Sequence, residues 1–139
     1  MSQAISIPAV AAKLAISASE YDWKSVRSGL PLNALEEFCA ASGLAVKDMF
    51  DVVIPARTLK NRYLRNEPLN IDESDRLARV ARVFELALKV WNNREDAREW
   101  LLTPKHRFEE MTPLAMLRTE LGEHAVEEFL IQIDEGYFA

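Results

Sequence analysis

Apolar residues along this chain recur at spacings of three and four, and no segment alternates apolar with polar over the length of a strand. The pattern predicts an all-α protein. Its longest periodic segment opens at Asn70, where Asn70 and Glu73 form a capping-box signature, and runs to Trp91. Leu77, Val80, Ala81, Phe84, Leu88 and Trp91 trace one stripe, while Val83, Leu86, Ala87 and Val90 fill much of the other side. A helix apolar over so much of its circumference is expected to be buried from more than one direction. It reads as a central core helix, as the link between two halves of the molecule, or as a homodimer seam. Arg76, Arg79 and Arg82 share its polar side with Asp72, Asp75 and Glu85 and read mainly as solvated ion-pairing residues, with phosphate contact by some of them as the alternative.

Shorter helices precede it. Ser19 with Asp22 predicts a helix that carries Trp23 and Val26 and ends at Gly29; Asn33 with Glu36 predicts another, with Leu35, Phe38 and Cys39 inward and Gly43 as its stop. Val46, Met49, Phe50 and Val53 then share one helical face, Ile54 and Pro55 interrupt it, and Ala56 begins a helix that buries Leu59 and Tyr63 or Leu64. This is the spacing of a helix-turn-helix, whose second helix presents its polar residues to the major groove. Arg57, Thr58, Lys60, Asn61, Arg62 and Arg65 are the residues so presented, with guanidinium, ammonium and amide donors suited to base edges and phosphates. A solvated basic helix face is the alternative for this stretch taken alone.

Beyond Trp91, Asn93 with Asp96 caps a helix through Trp100 and Leu102 that Thr103 and Pro104 end. Thr112 and Pro113 start the next one, since the threonine hydroxyl takes an orphan N–H and proline at the first helical position loses no needed donor. Gly122 is expected to stop it. The last helix places Val126, Phe129, Leu130 and Ile133 on one face, and Gly136 suits its left-handed cap. Past the cap, Tyr137, Phe138 and Ala139 put two aromatic rings beside a terminal carboxylate, a candidate partner-binding element. The chain therefore divides into an N-terminal arm (1–18), a helix-turn-helix region (19–71), and a linking helix with a second helical domain (72–139).

Charge sharpens this division. The net charge is -5, but residues 47–82 carry eight basic and six acidic side chains, whereas residues 83–139 carry six basic and twelve acidic. Arg57, Lys60, Arg62 and Arg65 come with no acid between them, so the positive potential is local and compatible with nucleic-acid contact. At 139 residues and 49% hydrophobic, the chain has ample material for a core. No apolar run approaches the roughly 20 residues of a membrane helix, and Lys13 interrupts the apolar N-terminal stretch, so a cytoplasmic location is expected.

Catalytic signatures do not emerge. The lone Cys39 cannot form an internal disulfide and reads as a small buried hydrophobe. His106 and His124 read as surface residues, too few for a metal site, and adjacent glutamates on polar faces lack the shielded pocket that general acid/base work needs. No enzyme activity and no cofactor are expected.

Taken in order, IPARTLKNR at 54–62, ESDRLARVARV at 73–83, AREWL at 97–101, TPLAMLRTELG at 112–122 and AVEEFLIQIDEG at 125–136 resemble the Xre/MbcA/ParS-like antitoxins, partners of RES-domain toxins. The resemblance covers residue 25 to the end. It implies a helical protein with an Xre-type helix-turn-helix and a C-terminal toxin-binding domain, neither of them catalytic. It further implies a toxin partner that depletes NAD, an antitoxin that blocks the toxin's active site, and operator DNA bound for autoregulation. The family's recognition pattern falls on Arg57, Thr58, Leu59 and Arg62. Its toxin-binding pattern falls on Trp100, Leu101, Thr112, Pro113, Leu117, Gly122, Val126, Leu130, Ile133 and Gly136. The outer face of the last helix and the tail, Leu130, Ile133, Asp134, Glu135, Gly136, Tyr137, Phe138 and Ala139, are the expected toxin contacts. A stand-alone helix-turn-helix regulator with a C-terminal dimerisation or sensing domain is the alternative. Two positions depart from the family: Val53 stands where glycine is often found, and Glu109-Glu110-Met111 where small residues commonly precede the Thr-Pro start.

Overall fold

The computed structural model describes residues 21–136, so the N-terminal arm, Ser19 and the Tyr137-Phe138-Ala139 tail lie outside the described residues. Helices follow one another as α1 (Trp23–Ser28), α2 (Leu32–Ser42), a 3-10 turn (Val46–Met49), α3 (Ala56–Arg65), α4 (Ile71–Trp91), α5 (Arg94–Leu102), a 3-10 turn (His106–Phe108), α6 (Pro113–Met116) and α7 (Glu120–Asp134). Among the described residues there is no strand, and only an isolated bridge joins Lys105 to Met111. The all-α expectation holds.

α4 is the element the others pack on: α1, α2, α5 and α7 all lie against it. Its start is the expected capping box, in which the Asn70 side chain accepts from Glu73 N and Glu73 accepts from Asn70 N, each at 2.8 Å. Leu77, Val80, Val83, Phe84 and Ala87 are completely buried, so the wide apolar surface is covered by the chain's own helices. Phe38 of α2 meets Phe84 edge-on at 6.1 Å, tying the N-terminal half to this core. Cys39 lies in the same core, where burial first and the Asp48 carboxylate second push its thiol up to about 11, leaving it a protonated hydrophobe.

Several local expectations give way to stronger constraints. Asp22, expected in the first turn, is itself the cap of α1, its side chain accepting from Ser25 N at 2.9 Å. α2 begins at Leu32 with Pro31 as its cap, and Asn33 sits exposed in the first turn. Leu30 is already fixed there by tertiary bonds, its N–H donating to Ser74 Oγ at 2.8 Å and its carbonyl accepting from Leu69 N at 2.9 Å. The helix expected over residues 46–53 shrinks to the single 3-10 turn Val46–Met49. Val52, Val53 and Ile54 are three β-branched residues ahead of Pro55, which disfavours the helical region for the residue before it. The Met49 carbonyl instead accepts from Val53 N at 2.8 Å and from Ile54 N at 3.1 Å, folding a tight turn into α3.

The C-terminal domain corrects two further expectations. Gly122 does not end a helix. It lies in the first turn of α7, whose cap is Thr119, with Thr119 Oγ1 accepting from Gly122 N at 3.0 Å. α6 is therefore one turn long, and Gly122 is needed for close approach: a Cβ there would lie 2.8 Å from the Met116 carbonyl carbon and closer still to its oxygen. Arg79 is not solvated either. It is buried, donates from Nη1 to the Leu117 carbonyl at 3.1 Å and from Nη2 to Asp75 at 2.8 Å, and pairs through Nε with the buried Glu123 at 3.4 Å. Arg82 meets the other Glu123 oxygen at 3.2 Å. An aromatic group completes the domain, with Phe129 edge-on to both Trp100 at 5.5 Å and Phe108 at 5.7 Å.

Two stability measurements check this packing. Gly122→Ala forces the α6–α7 turn apart, and urea unfolding is expected to show a loss at the upper end of the usual overpacking range of about 1–3 kcal/mol; an unchanged midpoint would refute the close approach. Glu123→Gln leaves the buried Arg79 with the half-exposed Asp75 as its carboxylate partner, and a loss of about 3 kcal/mol is expected, as for breaking a buried ion pair.

Candidate functional site

α3 is held from behind so that one face stays in solvent. Leu59 is buried beneath it, whereas Arg57, Lys60, Asn61 and Arg65 are exposed and Thr58 is half-buried. Tyr63 and Leu64, one of which was expected inside, are both exposed at 44% and 74%. The Tyr63 hydroxyl donates to the Glu36 carboxylate of α2, and that bond together with burial pushes its pKa up to about 12. A second tie comes from Arg76 of α4, whose Nε donates to the Val53 carbonyl at 3.1 Å and pins the turn that enters α3.

Arg62 differs from the other basic residues of this helix. Its Nε and Nη2 donate to the two oxygens of the buried Glu73 at 3.2 and 3.1 Å, a bidentate pair, and Nη1 lies 3.4 Å from Glu67. Hydrogen bonding to Glu73 raises its pKa, with the Glu73 and Glu67 charges adding to the effect. Glu73 in turn belongs to the α4 capping box, so Arg62 joins α3 to α4 and faces inward. The structure thus brings Arg57, Lys60, Asn61 and Arg65 together on the open face and removes Arg62 from it. Sequence reasoning missed the Arg62–Glu73 pair; the acid eleven residues on was visible only as a cap residue.

The other expected site is the end of α7. Leu130 is completely buried and builds the domain, a correction to its place among partner contacts, while Ile133 is half-buried against the core. Asp134, Glu135 and Gly136 are exposed. Gly136 takes φ +84, the left-handed conformation open to glycine, and its N–H donates to the Ile133 carbonyl at 3.0 Å. Tyr137, Phe138 and Ala139 lie beyond the described residues. Pattern reading also missed three apolar side chains left open on this domain: Leu121, exposed at 83%, Ile131 and Met111. Leu121 lies outside the spacing of Val126 and Leu130, the signal that could have exposed it.

Both histidines stand at the surface, His106 at 3.1 Å from Glu110 and His124 at 3.9 Å from Glu120. Among the described residues no group of three His, Cys, Asp or Glu side chains is placed to hold a metal ion, and no helix is long and apolar enough to cross a membrane.

Comparison with known proteins bears on both surfaces. The antitoxin Xre-like helix-turn-helix domain matches residues 24–82, and the antitoxin Xre/MbcA/ParS C-terminal toxin-binding domain matches residues 86–136. The chain is similar to a protein named Antitoxin Xre from Pseudomonas putida, 49% identical over 87 residues, which are 63% of this chain and 55% of that protein. It is also similar to Antitoxin Xre of Photorhabdus laumondii subsp. laumondii, 28% identical over 80% of this chain and 76% of the relative. A third relative, Antitoxin Xre of Yersinia enterocolitica, is 29% identical over 62% of this chain and 59% of its own length. The alignment to the first of these spans little more than half of that protein. With both domains matched in order on one fold, the chain belongs to the Xre/MbcA/ParS antitoxin family, an Xre-like helix-turn-helix followed by a C-terminal toxin-binding domain.

Proposed function

We propose that this chain is a cytoplasmic antitoxin that inhibits a RES-domain, NAD-depleting toxin by blocking its active site, and that it binds operator DNA to repress its own operon. One observation carries the reading: a basic, solvent-facing helix in an Xre-like helix-turn-helix is joined to a toxin-binding-family domain whose last helix runs out in exposed acids. Arg57, Lys60, Asn61 and Arg65 supply the base and phosphate contacts, and Thr58 helps seat the helix. Arg62 sets the angle of that helix on α4. A palindromic operator calls for an even number of such units, so two copies of the chain act on one site.

Inhibition follows from shape and charge. A pocket built for NAD offers cationic groups to its phosphates, and carboxylates form strong charge-assisted bonds with such groups. Asp134 and Glu135 sit at the end of a helix that Val126 and Leu130 anchor in the core, so the domain delivers them on a rigid stem.

Truncation after Asp134 is expected to leave the fold intact, because Leu130 is the last fully buried residue among the described ones. Coexpression of the truncated chain with the toxin is expected to show growth arrest; full neutralisation would sink the role of the tail. On the DNA side, Arg57→Ala with Lys60→Ala should weaken binding and flatten the log–log salt dependence by about 0.9 per lost phosphate contact, without moving the melting temperature. Arg62→Ala should instead lower stability by about 1–3 kcal/mol, since it leaves the buried Glu73 carboxylate short of its partner.

A further inference from the structure

A cleft of about 310 Å³ opens beside the turn that leads into α3, walled by Phe50, Asp51, Val53, Pro55, Arg76 and Arg118. Its two cations come from different parts of the chain. Arg76 belongs to α4, and its Nε is already committed to the Val53 carbonyl, which fixes the guanidinium at the cleft wall with its terminal nitrogens unassigned to any ion pair. Arg118 belongs to the toxin-binding domain, in the turn between α6 and α7. Its side chain is exposed and makes no hydrogen bond or ion pair among the described residues, while its backbone N–H donates to the Ala115 carbonyl at 3.4 Å.

The turn that carries Arg118 is held on both sides. Arg79 Nη1 donates to the carbonyl of the preceding Leu117, and the following Thr119 caps α7 over the close Gly122–Met116 approach. A surface arginine on a fixed backbone loses less freedom on binding than one on a mobile loop. Within the cleft, two guanidiniums face one carboxylate, Asp51, so the local balance is positive on a chain whose total is -5. Pro55 of the wall is the N-cap of α3, two residues before Arg57, so the cleft lies at the N-terminal end of that helix.

We infer that Arg118, together with Arg76, binds a phosphodiester of the DNA backbone flanking the bases met by α3, so that the toxin-binding domain takes part in DNA contact. Guanidinium donors suit a phosphate's paired oxygens, and such contacts set the register of a recognition helix on the duplex without reading sequence. This inference rests on the DNA-binding role proposed for α3. An acidic side chain of a protein partner is the competing occupant.

The test uses the full chain and a random-sequence duplex of roughly three helical turns, with binding measured across a salt series. Arg118→Gln is expected to flatten the log–log slope by about 0.9, the share of one phosphate contact, and Arg118→Lys to restore most of it. Arg118 is exposed, so circular dichroism and the melting temperature should match the parent for both variants. If Arg57→Ala flattens the slope while Arg118→Gln does not, the cleft is not a phosphate site and the role of α3 stands. If neither changes it, both fall. Loss of toxin neutralisation by Arg118→Gln with an unchanged salt slope would assign the cleft to the protein partner and overturn the inference.

Discussion

The structure depends on a polar stripe that α4 carries between its apolar faces. Glu73, Arg76, Arg79 and Arg82 are spaced by three, and each step of three falls about 60° short of a full helical turn. The stripe therefore winds about halfway round the helix in nine residues. At its start Glu73 holds Arg62 of α3, and Arg76 holds the turn before α3. At its end Arg79 and Arg82 close on Glu123 of α7, with Arg79 reaching the Leu117 carbonyl as well. One helix thereby fixes the basic helix of the helix-turn-helix on one side and the toxin-binding-family domain on the other.

Much of the fold was legible because its signals are local. The capping box at Asn70, the Asn93 cap, the Thr112–Pro113 start and the inward Val126 and Leu130 all rest on residues within a few positions of one another. Tertiary bonds were not legible. Asn33 has good cap chemistry, yet the bonds that Leu30 makes to Ser74 and Leu69 start α2 before Asn33 is reached. Gly122 looks like a helix stop because glycine commonly is one, and only the nearness of the Met116 carbonyl shows why it stands inside α7. Arg79 and Glu123 lie 44 positions apart, so the pair left no local signal and Arg79 read as surface charge.

The two departures from the family have different consequences. Val53 replaces a frequent glycine at the turn before α3 without a left-handed backbone; it is fully buried, its carbonyl accepts from Arg76, and the turn is closed by the Met49 carbonyl. Glu109 and Glu110 do adopt left-handed conformations, with φ of 54 and 70, where glycine, having no Cβ, would be at ease. Each such residue costs on the order of 1–2 kcal/mol. Lys105 N donating to Met111 O at 3.1 Å and Glu110 N to Lys105 O at 2.9 Å close that turn and hold it. The sequence shows the substitution at once, but the backbone angle that gives it a cost appears only in the fold.

Buried ion pairs are weak contributors to net stability, because apolar residues of similar volume often serve as well. The value of the stripe on α4 lies elsewhere. Apolar burial of Leu77, Val80, Val83, Phe84 and Ala87 drives the helices together but is non-directional, and a helix rotated or shifted by a few ångströms buries nearly as much. A bidentate pair such as Arg62–Glu73 is satisfied at one angle only, and Glu123, met by two arginines, is satisfied at one register. Unmade, these groups become buried charges without partners, so misaligned packings are penalised far more than the native one is stabilised. The core supplies cohesion and the stripe supplies orientation. Two binding surfaces on one small chain need the second as much as the first.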